Sequence, residues 1–313
     1  MSDYHVVFGT GAVGCWTARA LCELGIPVRG VNRSGKRPEL MPEDVEIVSA
    51  DASIPSQAIE AARGAEVVYQ ALNPEYHQWH KFFPGLQAGV MAAAKAVDAR
   101  YVSIDNLYMY DSSNSISEDS PIIPSSKKGE LRARMADEVI SAHERGDIRA
   151  TILRSSDYYG PGVRGSAMGE LVFGNLVAGK KAQVGGSAEV PHSWAYIEDV
   201  GRATAILGTH DEALGKVWIG PHAPPVTQGE MVKMACQVLK IEPQISLISP
   251  FMMRLAGIFV PGARASVEMM YEFTEPFIVD STKFETTFSV KSTSIDQGIM
   301  ETVNWYQAHQ NSD

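Results

Sequence analysis

The sequence predicts an α/β protein built on a doubly wound parallel sheet, and three observations support this fold class. Short apolar segments alternate with amphipathic ones, which is typical of a parallel sheet covered by helices on both faces. A glycine-rich turn joins the first apolar segment to a helical pattern. The length of 313 residues, with 45% hydrophobic and 20% charged residues, suits one large domain or a domain with a smaller lobe.

The first two elements enclose a dinucleotide-binding pattern. An apolar strand ending near Phe8 is followed by GTGAVG and by a helical pattern that ends at Gly25. The spacing G-x-G-x-x-G gives a tight turn, a close approach for pyrophosphate and close helix packing, and the helix start offers free N–H groups. A second strand at about Val28–Asn32 completes the required context. We therefore predict a Rossmann-type fold that contacts a dinucleotide through Gly9, Thr10, Gly11, Ala12, Val13 and Gly14; a glycine turn in another α/β fold is the alternative.

The end of the second strand indicates the form of the cofactor. A carboxylate there would hydrogen-bond a free ribose 2′-hydroxyl, but Asn32, Arg33 and Ser34 provide none. Arg33, with Lys36 and Arg37 close by, brings positive charge that suits a 2′-phosphate. We therefore predict NADP, with NAD less expected, and place Asn32, Arg33 and Ser34 in the cofactor site. A solvated basic loop is the alternative.

The remaining elements continue the alternation. A long helix contains GVMAAAKAV, and another begins near residue 126, where two serines precede an apolar face with four-residue spacing. Four more segments are predicted as strands: residues 45–51, 65–74, 99–106 and 148–156. Ligands of such sheets bind beyond the carboxyl ends of the strands. This rule adds the following residues to the predicted cofactor site: Asp51, Ala52, Ala71, Leu72, Asn73, Ser155 and Tyr158.

Seven motifs follow one another along nearly the whole chain: GTGAVG, SADAS, YQALNP, LYMYD before EDSPIIP, LRSSDYYGPG, WAYIEDVGRA and VDSTKFETTF with the segment after it. In this order they resemble the extended (atypical) short-chain dehydrogenases/reductases of the NAD-dependent epimerase/dehydratase family. The resemblance implies a nucleotide domain with a smaller, mostly helical C-terminal substrate lobe. We assign residues 1–160 and 196–220 to the domain, and residues 161–195 and 221–313 to the lobe.

The catalytic positions depart from the family pattern. The family carries Tyr-x-x-x-Lys on a helix and a hydroxyl residue at the preceding strand end, whereas this sequence has Lys128, Arg132 and Asn106 at the matching positions. Lys-x-x-x-Arg resembles the isoflavone-reductase-like branch, in which a lysine is the implied acid/base. Burial, the like charge of Arg132 and the helix start would all help Lys128 to release a proton. Lys128 and Arg132 would also bind the ribose. The alternative is that both lie in solvent beside an inactive cleft.

Four residues are predicted to contact the substrate. Tyr76 follows a strand end, Tyr108 lies in LYMYD, and the resemblance places His192 and Trp194 where the family meets its substrate. His192 would hydrogen-bond a substrate oxygen, with a structural histidine as the alternative. The apolar, Met-rich residues 251–260 are predicted to pack the C-terminal lobe and to be a poor membrane candidate.

These observations favour an NADP-dependent oxidoreductase or epimerase-like enzyme that transfers hydride between NADP(H) and a small carbonyl or hydroxyl compound. Lys128 would protonate the developing alkoxide, and Asn106 would orient its oxygen. One alternative is a catalytically silent NADP(H)-binding redox sensor. Another is a nucleotide-sugar epimerase, although the C-terminal lobe shows no clear basic cluster for a diphosphate.

Composition limits the partners. The net charge of −10 argues against nucleic acid or an anionic membrane as the main partner. The three cysteines show neither metal spacing nor a disulfide framework, so no metal is expected and a reducing cytoplasm fits. No signal peptide or membrane-spanning stretch is predicted. A homodimer is possible for such a fold, but the sequence does not decide it.

Overall fold

The computed structural model describes residues 4–310 and contains a seven-stranded sheet whose paired strands are all parallel. The strands are β1 (Tyr4–Phe8), β2 (Val28–Asn32), β3 (Glu46–Ser49), β4 (Ala65–Gln70), β5 (Arg100–Asp105), β6 (Arg149–Arg154) and Val217–Ile219. Their order across the sheet is Val217–Ile219, β6, β5, β4, β1, β2, β3. The order reverses between β1 and β4, and this reversal opens the crevice in which such folds bind ligands. The predicted fold class is confirmed.

Helices cover both faces because successive side chains of a strand point to opposite sides. Val6 and Phe8 of β1 join a core with helices α2 (Pro55–Ala62), α3 (Trp79–Val97) and α4 (Lys127–Glu144). Val7 joins the opposite core with α1 (Ala12–Glu23) and the helix Ile197–Thr209. The last two helices pack so closely that a Cβ on Gly201 would lie 2.6 Å from the backbone of Trp16. The sheet is therefore buried between two helical layers.

The C-terminal lobe has its own core, which includes Phe173, Trp194 and Met231. Its longer helices are Gln228–Leu239 and Ile295–Ala308; its shorter ones are Gly169–Gly174 (a π-helix), Asn175–Val177, Pro250–Ala256, Pro261–Ser266 and the 3₁₀-helix Val267–Phe273. The short helix Thr282–Phe288 instead packs Phe284 into the core that contains Val7. Two further 3₁₀-turns are Tyr76–Gln78 and Asp211–Ala213. Short strands pair in three ribbons: Tyr158–Tyr159 with Ala195–Tyr196, Pro191–His192 with Val226–Thr227, and Ala182–Gly185 with Ile245–Ile248. The exact domain boundaries stay a prediction.

The prediction that residues 251–260 pack the lobe is wrong. Phe251 is 72% exposed and Phe259 84% exposed. The helices Pro250–Ala256 and Pro261–Ser266 are short and pack against each other, and Pro261–Ser266 also packs against the turn Tyr76–Gln78. This arrangement leaves the apolar side chains of residues 251–260 largely in solvent. Within residues 4–310, no helix has the length and apolar character needed to cross a bilayer.

Candidate functional site

The glycine turn at the end of β1 has the geometry that its spacing predicts. Gly9 has φ of +97°, and a Cβ there would lie 2.6 Å from the backbone of Ala71. A Cβ on Gly14 would lie 1.8 Å from the carbonyl oxygen of Gly9, so α1 packs directly on the turn. A Cβ on Gly11, by contrast, would meet no atom within 4 Å. The free N–H groups at the start of α1 therefore face open space that a pyrophosphate can enter.

A cavity of about 270 Å³ lies beside this turn, at the ends of β1, β2 and β4. Asp51 lies on its wall with its carboxylate held by the backbone N–H (2.9 Å) and hydroxyl (2.6 Å) of Ser53. These hydrogen bonds, chiefly that of the hydroxyl, lower the pKa of Asp51, and the nearby Arg33 lowers it further. The structure brings together five residues that the sequence assigned to the cofactor: Arg33, Asp51, Ala52, Leu72 and Asn73.

Asn32 shapes the loop after β2. Its Nδ2 donates to Thr10 Oγ1 (2.8 Å) and to the carbonyl of Lys36 (2.9 Å). Its Oδ1 accepts from the Gly35 N–H (2.7 Å) and from the Ser34 hydroxyl (3.1 Å). These bonds tie the loop to the glycine turn and engage Asn32 and Ser34 within the protein. Arg33 is the side chain of this loop that lines the cavity.

Lys128 lies at the interface between α4 and the C-terminal lobe. It is only 3% exposed, and its Nζ donates to Glu268 Oε1 (2.6 Å) and to the carbonyl of Ala265 (2.7 Å). The ammonium also sits 4.5 Å from the centre of the Tyr76 ring. Lys128 is thus buried and not in solvent, and its side-chain hydrogen bonds within residues 4–310 go to the lobe and not to Asn106. Asn106 instead accepts from the Tyr108 N–H through Oδ1 (3.3 Å).

Arg132 belongs to a buried ion-pair group at the end of β5. Its Nε donates to Asp105 Oδ1 (2.6 Å) and one Nη donates to the Ile104 carbonyl (3.0 Å). Arg154 pairs with the other oxygen of the same carboxylate at 3.3 Å. Each cation of the Lys-x-x-x-Arg pattern therefore has its own carboxylate, which offsets the repulsion between them. The second Nη of Arg132 is buried and has no hydrogen-bond partner within residues 4–310.

The other predicted cofactor residues line the end of the sheet. Ser155 follows β6, is 1% exposed, and has no hydrogen-bond partner for its hydroxyl among residues 4–310. Burial raises the pKa of Tyr158. Ala71 donates its N–H to Phe8 and forms the wall against Gly9.

The four residues that the sequence predicts to contact the substrate divide into two groups in the structure. Tyr76 and Tyr108 share a hydrogen bond, and burial raises the pKa of both hydroxyls. His192 and Trp194 are instead 2% and 1% exposed, and their rings lie 4.1 Å apart in the lobe core. Trp194 donates to the Val226 carbonyl (3.1 Å) and therefore packs the core. His192 has a carboxylate neighbour, Asp157.

Sequence reasoning missed Asp157 and Glu272. His192 Nδ1 lies 3.1 Å from the Glu272 carbonyl, which only accepts, so this nitrogen carries a proton. Nε2 lies 3.2 Å from Asp157 Oδ2, but neither of these buried atoms makes a hydrogen bond of good geometry within residues 4–310. Burial, followed by the charge of Asp157, raises the pKa of the Glu272 carboxyl. Asp157 lies in LRSSDYYGPG after a strand end, and this position could have assigned it to the site together with Ser155 and Tyr158. No such signal in the sequence marks Glu272.

The arrangement combines an ammonium, two tyrosines and three carboxyl groups at the carboxyl ends of the strands. It can exchange protons with a bound ligand and can hydrogen-bond hydroxyl or carbonyl oxygens. Asp157 and Glu268 oppose a second anionic group in the same place, whereas the raised pKa of Glu272 favours its neutral form. No group of three or more His, Cys, Asp and Glu side chains in the described part of the chain is placed to hold a metal ion.

The chain is similar to known proteins in sequence and in fold. The family model described as "NAD dependent epimerase/dehydratase family" matches residues 6–220. The dTDP-glucose 4,6-dehydratase of Haemophilus influenzae is 23% identical over 254 residues, which are 76% of this chain and 67% of that protein. The UDP-glucuronic acid 4-epimerase of Bacillus cereus, solved in complex with NAD, has a TM-score of 0.79 at 16% identity and covers 98% of this chain and 100% of that one.

A second similar structure is the UDP-glucose 4-epimerase of Thermus thermophilus, also solved in complex with NAD. Its TM-score is 0.77 at 15% identity, with 97% of this chain and 99% of that one covered. At such identities the two solved structures establish a shared fold over nearly the whole chain.

Proposed function

The chain belongs to the NAD-dependent epimerase/dehydratase family, and from that premise we propose that it is an oxidoreductase that binds a nicotinamide adenine dinucleotide and acts on a small carbonyl or hydroxyl compound. The observation that carries this proposal is the open space over Gly11 next to the 270 Å³ cavity of Arg33 and Asp51. Pyrophosphate and adenosine fit these two places in turn. The bound cofactor would supply or accept the hydride.

The proposed cofactor is NADP, the form that carries a 2′-phosphate. Arg33 lines the cavity and no carboxylate stands at the end of β2, which favours a 2′-phosphate. The similar solved structures, in contrast, are complexes with NAD, which favours NAD. Binding measurements separate the two forms because only one of them carries the phosphate.

We expect NADPH to bind more tightly than NADH by about 1.5–3 kcal/mol, the range of a hydrogen bond to a charged group. Isothermal titration calorimetry with both cofactors checks this on wild type, on Arg33→Ala and on Arg63→Ala, a control that removes an exposed cation outside the cavity. Arg33→Ala should abolish the preference and Arg63→Ala should keep it. Equal affinities in wild type contradict the NADP assignment.

In this proposal Lys128 is the proton donor. An ammonium has three N–H donors, and two of them are used by Glu268 and Ala265. The third can donate to a substrate oxygen, so that the O–H bond forms while the carbon receives hydride. Asn106 uses Oδ1 to accept from Tyr108, which leaves its Nδ2 to donate to the same oxygen. Glu268, 30% exposed, links the buried Lys128 to solvent, from which the proton returns.

The test of this role compares two neighbouring lysines. Lys128→Met should lower kcat by about 10²–10⁴-fold with nearly unchanged NADPH affinity, because the proton donor is lost and the phosphate contacts are not. Lys127→Met is the matched control, since Lys127 is exposed. Turnover would be measured with NADPH on a panel of aldehydes and ketones. Normal turnover by Lys128→Met would exclude Lys128 as the donor.

A redox sensor without catalysis is the second candidate, and the contacts of Lys128 support it. The same ammonium that would act in catalysis is held by the lobe. In a sensor, NADPH binding would change hydrogen exchange in residues 261–273, and no member of the panel would be turned over. Turnover together with unchanged exchange favours the enzyme.

The names of the relatives support a nucleotide-sugar epimerase as a further candidate. The carboxylates of Asp157 and Glu268 weigh against it, because a sugar diphosphate would meet negative charge there. Calorimetry with UDP-glucose and dTDP-glucose distinguishes this candidate. Binding of either nucleotide sugar by the NADPH-loaded protein would favour the epimerase.

A further inference from the structure

Exposed apolar side chains concentrate in one short part of the C-terminal lobe, residues 245–260. Among residues 4–310, this stretch contains eight of the seventeen large hydrophobic side chains that are exposed. The most exposed are Phe259 at 84%, Phe251 at 72% and Ile258 at 68%. Side chains of this size are rarely left together in water unless another surface covers them.

The same stretch is basic in an acidic protein. Residues 243–267 contain Arg254 and Arg264 and no aspartate or glutamate, whereas the whole chain has a net charge of −10. Neither arginine has an ion-pair partner in the described part of the chain. Both line one cavity of about 440 Å³, together with Gly257, Ile258 and Val267. Two unpaired guanidinium groups beside an apolar wall match an anionic head group with an attached hydrocarbon chain.

Packing and hydrogen bonds fix the helices Pro250–Ala256 and Pro261–Ser266 with their apolar side chains exposed. A Cβ on Gly257 would lie 2.8 Å from Cα of Arg264, so the helices Pro250–Ala256 and Pro261–Ser266 pack with little space between them. Ala265 accepts from Lys128 of α4, and Glu268 accepts from the N–H of Lys127. The helix pair is therefore fixed to the rest of the protein at its C-terminal end, and Ile258, Phe259 and Val260 form its outer tip.

We propose that residues 251–264 of this helix pair, with Ile258, Phe259 and Val260 at the tip, dock onto the surface of a bilayer that contains anionic phospholipid. Phe259 and Ile258 would enter the boundary between head groups and acyl chains, and Arg254 and Arg264 would extend to the phosphates. A second copy of this chain suits the surface less well. A two-fold interface would bring Arg254 and Arg264 of both copies together without an acidic residue from this stretch. The acidic remainder of the protein would be repelled by the lipid, which fixes the orientation.

Vesicle sedimentation tests the proposal with phosphatidylcholine vesicles that contain or lack phosphatidylglycerol. We expect wild type to bind the anionic vesicles at least about tenfold more tightly and to lose this binding in high salt. Ile258→Ser with Phe259→Ser, and Arg254→Gln with Arg264→Gln, should each weaken binding about tenfold or more. Leu24→Ser with Ile123→Ser is the control, because these side chains are similarly exposed at 60% and 59% elsewhere. Thermal unfolding verifies that all variants fold.

Three results would overturn the proposal. One is the absence of binding to anionic vesicles, including the case in which inorganic phosphate alone binds. Another is equal binding to neutral and anionic vesicles. The third is a dimer in sedimentation equilibrium that Ile258→Ser with Phe259→Ser dissociates, which would assign the surface to a second copy.

Discussion

Gly11 and Gly14 lie three positions apart in the same turn, yet the space around them differs completely. A Cβ on Gly14 would overlap the carbonyl oxygen of Gly9 at 1.8 Å, whereas a Cβ on Gly11 would be free. Gly14 is therefore required by the fold, whereas the fold leaves space for a side chain at Gly11, and in the proposed function the pyrophosphate enters this space. The spacing pattern alone assigns both glycines to the same site and does not separate these roles.

The two alanine variants should separate them. Gly14→Ala should lose about 1–3 kcal/mol of stability, because the overlap with backbone exceeds the helix-propensity gain of about 1 kcal/mol. Gly11→Ala should unfold at the wild-type temperature but bind NADPH more weakly, since its methyl group occupies the approach of the pyrophosphate. Thermal unfolding and calorimetry check both. A Gly14→Ala protein as stable as wild type would contradict the packing argument.

At the scale of the element, the start of α4 explains why two cations can lie one turn apart near a helix N-terminus. Ser126 is the N-cap and accepts from the Gly129 N–H (3.0 Å). Glu268 provides a second cap from the lobe: its Oε2 accepts from the Lys127 N–H (2.8 Å) and its Oε1 from Lys128. A carboxylate at this end interacts favourably with the helix dipole and with the lysine.

Glu268→Gln should therefore lower the free energy of unfolding by about 1–2 kcal/mol, because two charge-assisted hydrogen bonds become neutral while partial exposure reduces their strength. Urea denaturation measures this difference. Glu275→Gln is the control, since Glu275 is an exposed carboxylate in the same part of the lobe. Equal losses in the two variants would mean that Glu268 contributes no more than an ordinary surface charge.

At the scale of the whole molecule, buried histidines and carboxyl groups lie where the lobe meets the sheet, so stability should depend on pH. Burial lowers the pKa of His222 from 6.5 to about 4, with a smaller effect from the charge of His192. His222 Nδ1 donates to the Gly220 carbonyl (2.7 Å), and its Nε2 accepts from the Ser156 N–H (3.2 Å). The neutral ring thereby positions the segment that carries Asp157.

Because the folded pKa of His222 lies below the unfolded one, the unfolded state binds the proton first as pH falls. Its contribution is complete above pH 6.5 and is lost between pH 6.5 and 4, by about 3 kcal/mol. His222→Gln should flatten this part of the curve, since the amide can donate and accept but does not titrate. Urea unfolding at several pH values checks it. An unchanged pH dependence in the variant would exclude His222 as the cause.

The sequence by itself determined the sheet, the glycine turn and several residues that line the cavity beside this turn. These features depend on local patterns: apolar segments of strand length, helical periodicity, and glycines with fixed spacing. Arg33, Asp51 and Asn73 were predicted together because the carboxyl ends of parallel strands meet at one edge of the sheet.

Only the tertiary structure determined which residues the predicted catalytic and substrate side chains contact. Lys128 bonds to Glu268, 140 positions later, and His192 faces Asp157 from the lobe. The exposure of Phe259 was equally undetermined, because an apolar run of this length is consistent with a core element or with a surface. The periodicity of a sequence indicates that one face of a helix or strand is apolar or charged. The residues that this face contacts depend on how elements distant in the sequence pack together. The contacts of Lys128 and His192 are formed by that packing.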